Sequence, residues 1–301
     1  MRRGCEGRRS DRAQDVLDRS APGRAPAQSV VGQQLAVNAG GAPPPDSVEF
    51  LDLHFARMEL DQAARWVLAA LAAPRFKYVV TPNVDHVVRL HNNAGAPWHA
   101  AFVAAERDAD LCINDSRILA KLAGLSGLSL PVVPGSDLTR ILIEAGVSSG
   151  TKVALIGGRD TDAAWLQSQL TTAEVLHFEP PFGVLHDPDA QQSIVDFVEA
   201  EQPNLTLFAI GAPQSEIVAH QIRERGKARG VALCIGASIE FLTGAKRRAP
   251  RVMQRMGLEW AFRLLSEPRR LWRRYLIEGP PIFAIWWRWR GARRGVTSPP
   301  P

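Results

Sequence analysis

The sequence has little of what would place it in several large classes of protein. It contains three cysteines in 301 residues, far apart and without a C-x-x-C pair, which argues against a disulfide framework or a zinc cluster and fits a reducing cytoplasm. No apolar run approaches the 18 residues of a membrane-spanning helix, and no apolar stretch follows the early arginines as it would in a signal peptide. The composition, 46% hydrophobic and 22% charged, is that of a folded protein with a sizeable core.

The charge is divided unevenly along the chain. Residues 1–45 carry +3, residues 46–245 carry −9 and residues 246–294 carry +11. Five of the eight tryptophans lie at or after position 260. We therefore predict a flexible extension before residue 46, an acidic domain at 46–245, a basic amphipathic appendage at 246–290 and a disordered tail at 291–301.

Short apolar, β-branched runs alternate with amphipathic stretches through the acidic part of the chain. We expect strands at 48–53, 76–80, 110–113, 152–156, 175–178, 205–210 and 231–235, and helices at 59–72, 160–170, 191–201 and 214–227. Runs such as LTLFAIG are apolar at nearly every position, which is typical of strands covered on both faces. The predicted fold class is α/β, an open Rossmann-like and mostly parallel sheet flanked by helices. In the appendage we expect helices at 251–265 and 269–277 and an interfacial segment at 282–290.

Candidate site residues follow the predicted strands, because ligands of open α/β sheets bind at the carboxyl ends of strands. Five polar or glycine-rich turns would converge there: Thr81-Pro82-Asn83, Asn114-Asp115-Ser116, Gly157-Gly158, the turn from Gly211 to Glu216, and Gly236-Ala237-Ser238. Thr81 and Asp115 also have a structural interpretation, since each could cap the helix that follows. Gly157-Gly158 could receive a phosphate on backbone N–H groups, although the full G-x-G-x-x-G spacing is missing.

The appendage contains a second candidate site. Arg263, Arg270 and Arg273 are seven and three residues apart, so they share one helical face if the break at Pro268 is mild. Arginines so placed can clamp a diphosphate, and a solvated basic face is the structural alternative.

Tryptophans interleaved with these arginines predict an interfacial segment. The candidates for membrane contact are Trp272, Trp286, Trp287 and Trp289, whose rings would lie at headgroup level beside arginines on anionic lipid. Such a stretch can also stack on single-stranded nucleic acid. We favour a membrane surface and expect no nucleic acid, because the −9 domain would repel phosphate backbones.

In this order, the turns resemble those of the WecG/TagA/CpsF glycosyltransferases, glycosyltransferase family 26, over about residues 48–285. The segments that carry the resemblance are TPNVDHVV (81–88), the turn at Asp115, VPGSDL (133–138), VALIGG (153–158), PPFG (180–183), GAPQSE (211–216) and the block 236–275. The resemblance implies an inverting enzyme that moves a sugar of N-acetylmannosamine or glucose type from a UDP-sugar to a polyprenyl-diphosphate-linked saccharide, in bacterial envelope or exopolysaccharide synthesis. It also implies a peripheral protein on the inner face of the cytoplasmic membrane.

The resemblance further implies roles for particular residues. Asp115 falls on the family's proposed general base, Thr81 on its active-site threonine, and the three arginines on residues thought to hold the acceptor diphosphate. The donor would be bound by Asn83, Gly157, Gly158, Gly211, Pro213, Gln214, Ser215, Glu216, Gly236 and Glu240. An inverting transfer needs one base, and positive charge or N–H dipoles for the leaving UDP. These residues supply both, so we expect no metal and no cofactor.

The sequence departs from the family pattern at three places. Ser116 stands where glycine is common, Gln214 and Ser215 occupy the places of a lysine and a glutamine, and Glu240 occupies that of an aspartate. A UDP-sugar-binding protein of the same fold that has lost catalytic activity is therefore the alternative function. The donor sugar, the acceptor saccharide, the pathway and a homo-oligomeric state are left open by the sequence.

Overall fold

The computed structural model describes residues 46–145, 150–246, 249–256 and 258–296. The predicted extension at 1–45 lies outside the described residues, as does the end of the predicted tail at 297–301. The predictions for these segments stay predictions.

A two-stranded hairpin opens the described chain, where the sequence predicts one strand at 48–53. Strands β1 (Ser47–Phe50) and β2 (Leu53–Ala56) pair antiparallel. Leu51 and Asp52 turn the chain with positive φ angles of 52° and 64°, the geometry of a two-residue hairpin turn. The single-strand prediction was wrong because the apolar pattern continues through the turn, where the Leu51 side chain is fully buried.

A six-stranded parallel sheet forms the centre of the molecule. Its strands are β3 (Lys77–Val80), β4 (Leu111–Cys112), β5 (Lys152–Ile156), β6 (Glu174–Phe178), β7 (Leu205–Phe208) and β8 (Val231–Cys234). They lie in the order β4-β3-β8-β7-β5-β6, and all neighbours are parallel. This confirms the predicted α/β sheet. The carboxyl ends of its strands therefore meet along one edge.

Helices cover both faces of the sheet. They are α1 (Leu60–Ala70), α2 (Val84–Asn92), α3 (His99–Arg107), α4 (Arg117–Gly124), α5 (Gly135–Glu144), α6 (Asp160–Gln169), α7 (Pro188–Glu201), α8 (Gln214–Arg225) and α9 (Ser238–Leu242). Successive residues of β5 enter opposite layers: Ala154 joins the core that contains helix α2, and Leu155 the core that contains α5. Strand residues alternate in direction, so a run buried on both faces must be apolar throughout.

The appendage is a chain of short helices. It comprises α10 (Arg251–Met256), α11 (Glu259–Ser266), α12 (Pro268–Arg273), a π-helical turn (Arg274–Glu278) and α13 (Pro281–Val296). The predicted break at Pro268 is present, whereas the predicted helix 251–265 is interrupted before Glu259. The last helix continues to Val296, six residues beyond the predicted ordered end. Within the described ranges, every helix is too short or too polar to cross a membrane.

Helix α13 docks on the sheet domain along one side. Ile282 and Ile285 are buried in the domain core. The Trp286 indole donates a hydrogen bond to Ser126 Oγ at 2.8 Å, and the Trp289 ring meets the Phe50 ring edge-on at 5.1 Å. The appendage is thus held against the sheet domain.

Candidate active site

A cavity of about 450 Å³ separates the carboxyl ends of β3, β4 and β8 from the appendage. On the sheet side it is lined by Asn83, Val84, Asp85, Asp115, Ser116, Arg117, Ile118, Val132, Pro134, Ser136, Ser238 and Phe241. On the appendage side it is lined by Glu259, Trp260, Arg263, Arg274, Tyr275, Leu276, Gly279, Pro280, Ile282 and Phe283. The cavity therefore joins carboxylates of the sheet domain to arginines and apolar side chains of the appendage.

Asp115 is held in this cavity by backbone contacts on both sides. Its N–H donates to the Pro82 carbonyl at 3.1 Å, and its Oδ1 accepts the Gly135 N–H at 3.2 Å. Burial raises the pKa of Asp115 to about 6. Arg263 opposes that rise in the pKa and Glu259 adds to it. A carboxylate with this pKa can accept a proton near neutral pH.

The capping interpretation of Asp115 is wrong, because Ser116 caps the helix. Ser116 Oγ accepts the Leu119 N–H at 3.3 Å, and Asn114 Oδ1 accepts the Ser116 N–H at 2.9 Å. The side chains of Asn114 and Ser116 thus accept the backbone N–H groups at the start of the helix. The hydrogen bond that the described residues make to the Asp115 carboxylate is at Oδ1, so its second oxygen can meet a substrate.

Thr81 does not cap the helix that follows it. Asn83 caps helix α2, with its Oδ1 accepting the Asp85 N–H at 2.9 Å. The Thr81 hydroxyl donates to the Cys234 carbonyl at 3.1 Å and is 7% exposed, outside the cavity lining. Thr81 therefore ties the end of β3 to the end of β8, directly beneath the cavity. Its predicted catalytic role stays a prediction.

Glycine turns follow the adjacent strands β5 and β7, as predicted for a phosphate site. Gly157, Gly158 and Gly211 have φ angles of 80°, 75° and 78°, a backbone region that favours glycine. A Cβ on Gly157 would lie 2.6 Å from Cγ2 of Ile210. The two turns are thus in close contact, and only glycine fits at position 157. Gly236, after β8, also has a positive φ, 50°.

Of the other predicted donor ligands, some line the cavity and some are buried in the protein core. Asn83 lines the cavity. Ser215 is fully buried and donates to the Gly211 carbonyl at 2.9 Å, and Glu216 is 2% exposed. The first turn of α8 buries both side chains in the protein core, and their predicted contact with the donor stays a prediction.

The side chains of the remaining predicted donor ligands, Gln214 and Glu240, contact residues close to them in the sequence. The Gln214 amide donates to the Ile210 carbonyl, which braces the turn after the cis peptide at Ala212-Pro213. Glu240 pairs with Lys246 at 2.5 Å. Neither side chain lines the cavity.

The three predicted arginines do not all line the cavity in this structure. Arg263 lines the cavity, pairs with Glu259 at 3.0 Å and lies 4.7 Å over the Phe241 ring. Arg270 pairs with Glu267 at 2.5 Å. Both Arg270 and Arg273 are exposed and outside the cavity lining. The shared helical face was predicted only for a mild break at Pro268. The break is not mild, because it turns α12 away from the cavity.

Arg274 is a cavity residue that the sequence reasoning missed. It pairs with Asp85 at 3.1 Å. Burial would raise the pKa of Asp85, but Arg274 and Arg89 outweigh it and lower that pKa. Arg274 begins the π-helical turn beyond the break at Pro268, so its spacing from Arg263 along the sequence could not identify it.

One nitrogen of Arg263 lacks a hydrogen-bond partner among the described residues. This nitrogen, Nε, is buried. Because a buried guanidinium nitrogen normally has an acceptor, Arg263 Nε is a candidate donor to an anionic ligand in the cavity.

Exposed large apolar side chains are concentrated in the appendage. Eight of the ten within the described ranges belong to it: Val252, Met256, Leu265, Trp272, Leu276, Ile277, Phe283 and Trp287. Leu276 and Phe283 also line the cavity, so the apolar surface reaches its mouth. Trp286 and Trp289 are half-buried against the domain, and their predicted membrane contact stays a prediction.

Asp-x-Asp triplets, whose paired carboxylates are candidate cation ligands, occur at 108–110, 160–162 and 187–189. Each triplet has a structural role. Asp110 accepts the Tyr78 N–H, Asp162 binds the Arg159 guanidinium, and Asp187 caps α7. All three triplets lie outside the cavity lining.

Comparison with known proteins gives one family. The model described as the glycosyl transferase WecG/TagA/CpsF family matches residues 48–295. The match spans the sheet domain and the appendage together, and so includes both walls of the cavity.

Proposed function

Because the chain belongs to the WecG/TagA/CpsF family of glycosyltransferases of cell-envelope polysaccharide biosynthesis, we propose that its cavity transfers a sugar, with inversion, from a UDP-sugar to a polyprenyl-diphosphate-linked saccharide. The observation that carries this proposal is the position of Asp115, a carboxylate with a pKa of about 6 in the same cavity as Arg263 and Arg274. A general base and cations are the two requirements of the reaction.

Asp115 is the general base in this mechanism. The acceptor hydroxyl oxygen attacks the anomeric carbon, the bond from that carbon to the UDP oxygen breaks, and the hydroxyl proton moves to the free carboxylate oxygen of Asp115. The Gly135 N–H holds the other oxygen, so the carboxylate keeps one orientation. Attack from the face opposite UDP inverts the anomeric configuration.

Arg263 and Arg274 supply the positive charge. The unpartnered Arg263 Nε is a donor in a protected site, where a hydrogen bond to a diphosphate oxygen is strong. Arg274 forms an ion pair with Asp85 and brings a second guanidinium to the same wall of the cavity. We infer that these two arginines bind diphosphate, while the exposed Arg270 and Arg273 are placed to meet a diphosphate or lipid phosphate at the surface.

The donor nucleotide is proposed to bind at the turns after β5 and β7. The Gly157 N–H is donated to the Phe178 carbonyl at 2.8 Å, so the backbone N–H groups proposed to meet phosphate are those of Gly158 and Gly211. The sugar, of N-acetylmannosamine or glucose type, would then project toward Asn83 and Asp115. The two side chains that the sequence assigned to donor contact, Ser215 and Glu216, are not needed for this placement.

A peripheral membrane location is supported by the apolar surface of the appendage. Trp272 and Trp287 are 46% and 70% exposed among basic residues, an arrangement typical of interfacial helices. The continuation of this surface into the cavity through Leu276 and Phe283 gives a lipid-linked acceptor a route from the bilayer to Asp115.

The test is a transfer assay with a panel of UDP-sugars and short synthetic lipid-diphosphate acceptors, on the full chain and on Asp115→Asn. We expect one donor to be consumed, a product of inverted anomeric configuration by NMR, and loss of turnover in the variant. Glu224→Gln, a change at an exposed carboxylate, is the matched control. Calorimetry that shows UDP-sugar binding with no turnover under any condition would instead support the inactive binding protein.

A further inference from the structure

A buried polar cluster lies below the cavity and is not used in the proposed mechanism. It consists of His86 from α2, Glu106 from α3 and Glu216 from α8, which are 7%, 1% and 2% exposed. His86 Nε2 is 3.5 Å from Glu216 Oε1 and 4.0 Å from Glu106 Oε1. Burying three ionisable groups is costly unless they satisfy one another, so their proton arrangement matters.

His86 connects this cluster to the cavity. Its Nδ1 accepts the backbone N–H of Asn83 at 3.4 Å. Asn83 and Asp85, which are linked by the helix cap, both line the cavity. A ring nitrogen that accepts an N–H carries no proton, so the imidazole proton is on Nε2, which faces Glu216.

Glu106 is the neutral neighbour in the cluster. Neither of its carboxyl oxygens has a hydrogen-bond partner in the part of the chain that the structure describes. Burial raises its pKa to about 8, with Glu216 adding to the rise and His86 opposing it. The other titratable groups around it are the thiols of Cys112 and Cys234, whose pKa values burial raises. Burial lowers the pKa of His86, but the hydrogen bond to Glu216 and the neighbouring acidic groups outweigh it and raise that pKa. A second proton on Nδ1 would nevertheless displace the Asn83 N–H, which already occupies that nitrogen.

The donor atoms of the three side chains also lie within 4.8 Å of one another, as in a metal site. A cation on His86 Nε2 would require the proton on Nδ1, where the Asn83 N–H already points. The hydrogen bond to Asn83 thus favours a proton at Nε2 over a metal.

We propose that Glu216 and His86 are positioning residues of the transferase site: Glu216 fixes the Nε2–H tautomer of His86, and His86 holds the Asn83 turn against the cavity. This inference rests on the proposed function for its kinetic consequence. It accounts for Glu216 in the GAPQSE turn, where the side chain points away from the donor. Through this pair, the turn after β7 sets the geometry of the turn after β3.

The first experiment reads the tautomer directly. Full-length protein with ¹⁵N-labelled histidine is examined by NMR at pH 7, and the His86 signal is assigned by its loss in His86→Gln. We expect a proton on Nε2 and none on Nδ1 in the wild type and in Glu106→Gln, and a changed signal in Glu216→Leu, which removes the acceptor at similar volume. Protons on both nitrogens, or stoichiometric bound metal that is lost in Glu106→Gln, would overturn the proposal.

The second experiment separates positioning from simple destabilisation. We expect donor KM to rise about 10- to 100-fold in Glu216→Leu, since small displacements of site groups have effects of this size, with partial rescue in Glu216→Gln and little change in Glu106→Gln. A loss of kcat alone, in proportion to the unfolded fraction, would refute the positioning role. If Glu216→Leu does not fold, the comparison uses Glu216→Gln. This variant must change the His86 NMR signal and raise the donor KM more than Glu106→Gln does. A wild type without transferase activity would defeat the proposed function, and the NMR result would stand separately.

Discussion

Replacement of Asp115 by asparagine should stabilise the folded protein while it removes transferase activity. Burial raises the pKa of Asp115 from 3.8 to about 6, so the fold disfavours the ionised carboxyl that the chemistry requires. A shift of about two units corresponds to at most roughly 3 kcal/mol of unfolding free energy. Asparagine has no charge to bury, and its Oδ1 can still accept the Gly135 N–H.

The stability difference should depend on pH in one direction. Well below pH 4 the carboxyl is protonated in both the folded and the unfolded chain, and at about pH 4 it is only partly ionised in the unfolded chain, so the variant gains little stability there. As the pH rises toward 6, the unfolded chain ionises first, and the stability of the wild type falls relative to that of the variant. Above about pH 7 the difference should reach its full size.

Urea unfolding at pH 4 and pH 8, beside a pH profile of kcat/KM, measures both effects. We expect wild-type kcat/KM to rise to half its maximum near pH 6, and the variant to lose about 10²- to 10⁴-fold in rate, the usual contribution of a general base. The exposed-site variant Glu224→Gln should change neither quantity. A variant that is less stable than the wild type at pH 8, or that keeps its rate, would refute this account of Asp115.

Three further predictions concern the arginines, a glycine turn and the apolar surface. Arg263→Gln should lower kcat about 10²- to 10³-fold, and Arg270→Gln less than tenfold, in the transfer assay; equal losses would contradict the cavity assignment. Gly157→Ala should lower the unfolding free energy by about 1–3 kcal/mol or more, because its φ is 80° and a Cβ would meet an isoleucine methyl; urea denaturation that shows no change would count against it. The double change Phe283→Ser and Trp287→Ser should reduce flotation with anionic liposomes while the circular dichroism spectrum stays unchanged; undiminished flotation would place the membrane surface elsewhere.

The strands of the sheet could be read from the sequence because their determinants are local. Lys152–Ile156 is found at the predicted bounds, since an apolar β-branched run between polar turns leaves few alternatives. The same reasoning failed at Leu51, where a buried side chain lies in a turn. Apolar periodicity reports burial, and it does not report the direction of the backbone.

The positions of the candidate site along the chain were also predictable, since Asp115, Asn83 and the glycine turns all follow strands. Their contacts were not. Asp115 accepts the N–H of Gly135, which is 20 residues away, and no local pattern records that contact.

The sequence by itself determined a parallel sheet, a set of strand-end turns and the separation of an acidic domain from a basic, tryptophan-rich appendage, because each depends on periodicity or composition over short windows. Only the tertiary structure decided that Arg274 rather than Arg273 faces Asp85, that Glu216 supports His86 from below, and that Trp286 packs inward. Each of these depends on the rotation of one helix against an element distant in sequence. That rotation is set by packing across the whole core, and no local pattern records it.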